Sequence, residues 1–121
     1  MQILLVFIGG GIGSICRFLL SKADYPFISQ FPAGTLFSNL ISCFLLGLLY
    51  HAFAVEGDNS HWKLLLAVGF CGGFSTFSTF SMEIFEKINS GSMLEALAYV
   101  LISVILGVIA IYLGVQLMRL L

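Results

Sequence analysis

The chain has 121 residues, of which 60% are hydrophobic and 9% are charged, and its mean hydropathy is +1.08. Because roughly a quarter of the residues in soluble domains are charged, this composition excludes a water-soluble globule and predicts an integral membrane protein. The net charge of −1 leaves no excess of Lys and Arg for neutralising phosphates, so we expect no nucleic-acid partner.

Four apolar stretches are long enough to cross a bilayer as helices, which takes roughly 20 residues. They predict an all-α integral membrane protein with a single four-helix domain over residues 1–121. The spans are expected at about 2–21, 32–54, 63–83 and 95–118. Since the polar connections between them are short, the protein is expected to act within the bilayer.

The first span contains Gly9, Gly10, Gly11 and Gly13 and ends near Arg17. Small residues four apart, such as Gly9 and Gly13, permit close packing of helices. A charged residue inside a span is a functional candidate by default, which draws attention to Arg17. No basic residue precedes the apolar run, as it would in a signal peptide, so we expect the span to remain in the mature chain.

The second span follows Pro26 and Pro32, and proline is tolerated at or before the first turn of a helix. The helix is therefore expected to begin at about Pro32. Asn39 lies within it, where an asparagine serves either a functional site or a hydrogen bond to a neighbouring helix. The sequence leaves both interpretations open.

The third span repeats Phe-Ser-Thr with a period of three after Gly73. On a helix this spacing places Phe74, Phe77 and Phe80 on one slanting stripe and the hydroxyls on a neighbouring one. The alternative is that the hydroxyls bond their own helix while the rings only pack. So many polar groups in one apolar span nevertheless favour the lining of a pore.

Gly72-Gly73 lies near the middle of the membrane, and paired glycines weaken a helix. We therefore predict that the third span is broken near Gly72-Gly73. Carbonyls freed by such a break can hold a small cation where protein or a cavity receives them. A glycine pair that only allows tight helix crossing is the alternative.

No catalytic arrangement is evident in the sequence. No second carboxylate accompanies Glu83 in an apolar span, and the two histidines are better explained as interface residues. We therefore expect no enzymatic activity. Cys16, Cys43 and Cys71 lie in apolar runs without CxxC spacing, which is typical of buried free thiols and not of a zinc site.

The basic residues near the ends of the spans are almost balanced across the membrane. Lys63 and Arg119 lie on the side of the N-terminus, and Arg17, Lys22 and Lys87 lie on the other. Because Lys and Arg in short loops set the orientation, this balance predicts dual topology, with copies inserted in both directions. Two-fold association is the commonest oligomeric arrangement, so we expect an antiparallel homodimer.

Three motifs, taken together and in this order, resemble those of the Fluc/CrcB fluoride channels. They are Gly-Gly-x-x-Gly-x-x-x-Arg ending at Arg17, Gly34-Thr35-Leu36-x-x-Asn39, and Gly69-Phe70-x-Gly72-Gly73-x-Ser75-Thr76-Phe77-Ser78-Thr79-Phe80-Ser81-x-Glu83. Each motif is weak alone, but all three on a four-span chain of this length make a specific match. The likeness covers nearly the whole chain.

The resemblance implies a fluoride-selective channel that exports fluoride from the cytoplasm and so relieves fluoride toxicity. It implies an antiparallel dual-topology homodimer in the inner or plasma membrane, in contact with lipid. Each dimer would contain two fluoride pores and a central, structural sodium ion at the interface.

The same resemblance assigns roles to particular residues. Ring edges of phenylalanines would face the anion, since the edge is the positive part of the ring quadrupole, and an amide and hydroxyls would donate hydrogen bonds to it. These pore residues would be Asn39, Phe77, Phe80, Ser78, Thr79 and Ser103. Arg17 and Glu83 would lie at the vestibule, and the backbone carbonyls of Gly72 and Ser75 would bind the sodium ion.

Two positions depart from the family pattern: Ser75 stands where threonine is frequent, and Gly107 stands where some members carry a serine one turn after Ser103. The main alternative function is a small multidrug-type transporter coupled to protons. That mechanism needs a carboxylate in the first span, whereas the first acidic residue here is Asp24. A helical subunit that only stabilises a larger complex would not explain the track of hydroxyls and rings.

Overall fold

The computed structural model describes residues 1–23, 31–56 and 61–120, and every regular element among them is a helix. We number the helices α1 to α5 along the chain. They are α1 (Gln2–Ser21), α2 (Ala33–Glu56), α3 (Lys63–Cys71, continuing over Gly72–Phe74), α4 (Phe77–Asn89) and α5 (Met93–Leu120). α2 starts directly after Pro32, whereas Pro26 lies outside the described residues.

Four of the described stretches are long and apolar enough to cross a membrane. They are Gln2–Ser21, Ala33–Tyr50, Lys63–Asn89 and Met93–Leu120. The prediction of an all-helical chain with four potential spans is therefore confirmed.

The helices pack mainly as two pairs, α2 against α5 and α1 against α3. In the first pair, a methyl group added at Gly47 would collide with the Ile111 carbonyl, and one added at Gly114 would collide with the Phe44 carbonyl. Glycine is thus required at both positions for the two backbones to touch, as is common between helices in membranes.

The second pair meets through the glycines of the first span. A side chain at Gly9 would strike the backbone of Leu65, and one at Gly13 would strike that of Phe70. Over this contact α3 is wound as a π-helix from Lys63–Cys71, a rare winding that is often associated with functional sites. The close packing predicted for Gly9 and Gly13 is therefore present within one protomer.

The third span is broken at Ser75 and Thr76, three residues later than the pair Gly72-Gly73 near which the break was predicted. Both residues are extended, with φ −77° and ψ 159° at Ser75 and φ −151° and ψ 119° at Thr76. The glycines belong instead to the last turn of α3. A methyl group at Gly73 would collide with Gly10, so this glycine allows tight helix crossing, which was the alternative interpretation.

A tight turn connects α4 to α5. Gly91 has φ +83°, a conformation that favours glycine, and it donates its amide to the Ile88 carbonyl at 3.0 Å. The Ser92 amide reaches the Lys87 carbonyl at 2.9 Å, which completes a Schellman motif. An ion pair between Lys87 Nζ and Glu95 Oε2 at 2.9 Å joins the two helices beside the turn.

A single protomer leaves much apolar surface uncovered. Phe77, at the start of α4, is 81% exposed, and Leu94 at the start of α5 is 80% exposed. In contrast, Tyr99 and Ser38 have no exposed surface at all. The buried interior of the protomer is therefore small and partly polar, and lipid or another protein must cover the rest.

Candidate functional site at the break of the third span

Asn39 on α2 holds the break in its extended form. Its Oδ1 accepts the Thr76 amide at 2.8 Å, and its Nδ2 donates to the Thr76 carbonyl at 3.3 Å. Both backbone groups of Thr76 are thus satisfied without water, as a break at membrane depth requires. An asparagine amide carries two hydrogens, so one donor remains beyond the bond to Thr76.

The Thr76 side chain caps the first turn of α4. Its Oγ1 accepts the Thr79 amide at 3.2 Å and lies 3.1 Å from the Thr79 hydroxyl and 3.3 Å from that of Ser78. The amides at the start of a helix carry partial positive charge, which favours a nearby anion. The predicted residues Ser78 and Thr79 therefore lie in a first helical turn that is suited to an anion.

The carbonyls that end α3 are bonded by side chains from three segments. The Cys71 carbonyl accepts the hydroxyls of Ser42 at 2.9 Å and Ser75 at 2.8 Å. The Gly73 carbonyl accepts Arg17 Nε at 3.2 Å and the Ser14 hydroxyl at 3.5 Å. Arg17 is thus bonded to the partially negative C-terminal end of α3, where a cation is favourable.

The Gly72 carbonyl has lost its ordinary helical partner. That partner would be the amide four residues later, and the amide of Thr76 is donated to Asn39. Gly72 is exposed in the protomer, and a methyl group there would meet nothing within 4 Å. Oxygen ligands suit a hard cation, so this outward-facing backbone fits the expected chemistry of a sodium site. Among the described residues, no group of three or more His, Cys, Asp or Glu side chains could hold a metal ion.

Glu83 on α4 is bonded by two hydroxyls that sequence analysis missed. Thr35 Oγ1 donates to Glu83 Oε1 at 2.6 Å, and Tyr99 OH donates to Oε2 at 2.8 Å. Both carboxylate oxygens therefore have a donor, as expected for an acid within a span. Helical spacing offered a signal for both, because Thr35 lies four residues before Asn39 and Tyr99 four residues before Ser103.

The rings of the predicted stripe are divided by the break. Phe74 is buried in α3 and stacks on Phe70 with a centroid distance of 5.4 Å. Phe80 packs edge-on against Tyr99 at 5.0 Å, and its centroid lies 6.2 Å from that of Phe77. The prediction that Phe74 continues the stripe of Phe77 and Phe80 is wrong, because Phe74 belongs to a different helix.

Two open cavities adjoin the break, and Thr76 lines both of them. The larger, of about 300 Å³, brings together five of the predicted site residues with Cys43 and Val104; the five are Asn39, Ser75, Phe77, Phe80 and Ser103. The Ser103 hydroxyl oxygen is buried and has no hydrogen-bond partner among the described residues. Among the described residues, the lining of the larger cavity therefore includes one hydroxyl that has no partner in the protein.

The smaller cavity, of about 210 Å³, is lined by Arg17 and Thr79 together with Ser14, Ser21 and Thr35. Of the other predicted residues, Ser78 is exposed, and Glu83 is bonded to Thr35 in the wall of this cavity. The structure thus gathers the predicted residues around one short segment of backbone. Side chains from α1, α2, α4 and α5 converge on it.

Comparison with known proteins places the chain in a family. The family described as "CrcB-like protein, Camphor Resistance (CrcB)" matches residues 4–115. The "Fluoride-specific ion channel FluC" of Phocaeicola vulgatus is 40% identical over 115 residues, which cover 94% of this chain and 95% of that protein.

Two archaeal proteins of the same name are similarly close. The one from Pyrococcus abyssi is 42% identical over 96% of this chain and 94% of its own length. The one from Pyrococcus furiosus is 43% identical over 98% of this chain and 96% of its own length. With its four apolar helices, the chain is a multi-pass membrane protein. Because the family match extends over residues 4–115, the chain belongs to the CrcB family.

Proposed function

We propose that this protein is a fluoride-selective channel that exports fluoride from the cytoplasm, and that it has no enzymatic activity. The observation that carries the proposal is the larger cavity, in which donors from α2 and α5 meet the phenylalanine rings of α4. The relatives from P. vulgatus and the two Pyrococcus species bear the name of fluoride-specific ion channels, which supports the same substrate.

The proposed path coordinates an anion without a fixed positive charge. The second amide hydrogen of Asn39 and the unpartnered Ser103 hydroxyl are donors among the residues that line the cavity. The edges of Phe77 and Phe80 add the positive part of their quadrupoles. Donors of modest strength can replace the water around a small anion and still release it, as conduction requires.

Ser78 and Thr79 continue this path toward the smaller cavity, where the first turn of α4 favours an anion. Arg17 lines that cavity and forms its vestibule. Glu83 is bonded to Thr35 in the wall of the same cavity and to Tyr99 on α5, and it would lie with Arg17 at the vestibule. Fluoride would pass between the two cavities along hydroxyls and ring edges.

We further propose that two copies form an antiparallel, dual-topology homodimer with two pores. The balanced charges of the loops support both insertions. The 81% exposure of Phe77 also supports the dimer, because a pore phenylalanine needs a second wall. Gly72 faces outward with open space around it, which permits another backbone to approach at this level.

A sodium ion at the dimer interface would be held by the carbonyls of Gly72 and Ser75 from both copies. The Gly72 carbonyl is available because the Thr76 amide is donated to Asn39. The bound ion would supply positive charge between two broken helices and stabilise the dimer.

The proposal is tested by fluoride efflux from liposomes that contain the purified protein, with chloride efflux measured in parallel. We expect rapid fluoride efflux and no chloride efflux. Phe80→Ile should slow fluoride efflux, and Phe85→Ile, which changes a ring of α4 that is 58% exposed, is the matched control. Chloride efflux as fast as fluoride efflux would instead support an anion pathway without fluoride selectivity. Proton-coupled export of organic cations, with no fluoride efflux, would support the small multidrug-type transporter.

A further inference from the structure

The hydroxyl face of α5 ends at Ser103, which lines the larger cavity. Tyr99 and Ser103 lie four residues apart on this face, and the next position at the same spacing is Gly107. Tyr99 bonds Glu83, and Ser103 has an unpartnered buried oxygen. Gly107 has no side chain, so α5 itself offers no donor at the third position.

Cys43 on α2 fills the space beside this gap. It lies four residues after Asn39 on the same helix face and lines the larger cavity together with Ser103. A Cβ atom built at Gly107 would lie 3.6 Å from Cys43 Sγ, an ordinary contact distance. The sulfur of Cys43 therefore lies beside the place where a side chain at position 107 would project.

We propose that the Cys43 thiol is part of the wall of the ion path, where it donates a hydrogen bond to the passing anion at the level of Gly107. The inference rests on the proposed function and extends its path by one donor. A thiol is a weaker donor than a hydroxyl. Cys43 would therefore hold the ion less firmly than Ser103 does and favour its movement onward.

The competing explanation is that Cys43 is a small apolar residue that only fills space between α2 and α5. Cys71, on α3, is buried in this way, since it is only 5% exposed. Cys43 differs because it is partly exposed, is a free thiol and borders a cavity that also contains an unpartnered hydroxyl. Filling space and donating a hydrogen bond predict different effects of substitution.

The first test compares Cys43→Ala, Cys43→Ser and the double variant Cys43→Ala/Gly107→Ser in liposome fluoride efflux. A hydrogen bond to the anion contributes about 1 kcal/mol, so its loss in Cys43→Ala should make fluoride efflux about fivefold slower than in the wild type. Cys43→Ser keeps a donor and should exceed Cys43→Ala severalfold. The double variant should recover the wild-type rate of efflux, because Ser at position 107 places a hydroxyl on α5 beside the position of the removed thiol.

The second test uses methyl methanethiosulfonate, a small neutral thiol reagent. The Cys43 sulfur would form a disulfide bond with the reagent's methylthio group, the S–SO₂ bond would break, methanesulfinate would leave, and the thiol proton would pass to buffer. The added group would narrow the path. We expect fluoride efflux of the wild-type protein to fall at least tenfold and Cys43→Ser to be unaffected. Cys16→Ser, which removes a thiol that lines neither of the two cavities, should remain sensitive.

The inference is overturned if the reagent leaves wild-type efflux unchanged, or if it inhibits Cys43→Ser equally. It is also overturned if Cys43→Ala conducts like the wild type, or if the double variant stays as slow as Cys43→Ala while eluting as the same oligomer. If Cys43→Ala does not fold, the reagent decides alone, because it acts on the wild-type protein. A wild-type protein that conducts no fluoride would contradict the proposed function, whereas fluoride flux indifferent to Cys43 would contradict only this inference.

Discussion

Asn39 has a structural role that is compatible with the functional role that we propose for it. Its oxygen and one hydrogen hold Thr76 in the extended form that ends α3 and begins α4. The other hydrogen can then be presented to the cavity from a side chain whose orientation is fixed. The two interpretations that the sequence left open for this residue, a helix contact and a functional donor, are therefore compatible.

Asn39→Ala should lower both stability and fluoride efflux. The change leaves the amide and the carbonyl of Thr76 without hydrogen bonds at membrane depth. Each unbonded group should lower the free energy of unfolding by about 1–3 kcal/mol. We expect a lower midpoint of thermal unfolding in detergent and a large loss of efflux. Asn89→Ala, at an exposed position ending α4, is the control and should change neither. Wild-type stability in Asn39→Ala would contradict the structural role.

Tyr99→Phe tests the contribution of the hydrogen bond to the half-buried Glu83 carboxylate. The variant removes one of the two donors to Glu83, and a hydrogen bond to a charged group contributes about 1.5–3 kcal/mol. We expect slower fluoride efflux and a lower unfolding midpoint. Tyr112→Phe removes a hydroxyl from the same helix at a side chain that is 60% exposed, and it should behave as wild type. If Tyr99→Phe and Tyr112→Phe have the same efflux rate and unfolding midpoint, the bond from Tyr99 to Glu83 contributes to neither property.

At this scale the sequence predicted residue types better than their partners. Asn39, Phe80 and Ser103 were predicted as pore residues and line one cavity. Thr35 and Tyr99 were missed because one hydroxyl in an apolar helix resembles any other until its partner is known. Only the fold shows that both hydroxyls donate to Glu83.

At the scale of elements, the break in the third span places two helix ends with opposite partial charges next to each other. α3 ends there with carbonyls, which favour a cation, and α4 begins there with amides, which favour an anion. Arg17 bonds the Gly73 carbonyl, and Thr76 caps the first turn of α4. One interruption of the helix thus provides a helix end of each polarity, and our proposal assigns one ion to each end.

The position of the break depends on contacts that a one-dimensional pattern does not contain. Gly72-Gly73 resembles a break because glycine weakens helices, but Gly73 is needed for the contact with Gly10. Ser75 and Thr76 are not unusual helix residues in a membrane. They are extended because Asn39, from another helix, bonds the backbone of Thr76.

The turn between α4 and α5 fixes the two helices that carry Glu83 and Tyr99. Gly91→Ala should lower the unfolding midpoint, because a non-glycine residue in this left-handed conformation costs about 1–2 kcal/mol. Gly91→Asn should be milder, since asparagine tolerates the conformation better. A midpoint for Gly91→Ala at or above that of the wild type would contradict the structure of the turn.

At the scale of the whole molecule, a single protomer contains half of what the proposed channel needs. Its cavities are open, and Phe77, which we propose lines the pore, is largely exposed. The sequence supported a dimer through its balanced charges, but it could not show which surfaces a partner covers. The structure adds candidates for that surface in Phe77 and the open side of Gly72.

The most direct test of the account is the reversal potential of the purified protein in a planar bilayer, with fluoride high and chloride low on one side and the reverse on the other. A channel lined by ring edges and neutral donors, selective for the small anion, should give currents that reverse near the fluoride equilibrium potential. A reversal potential that follows chloride or cations, or the absence of current from well-folded protein, would contradict the account.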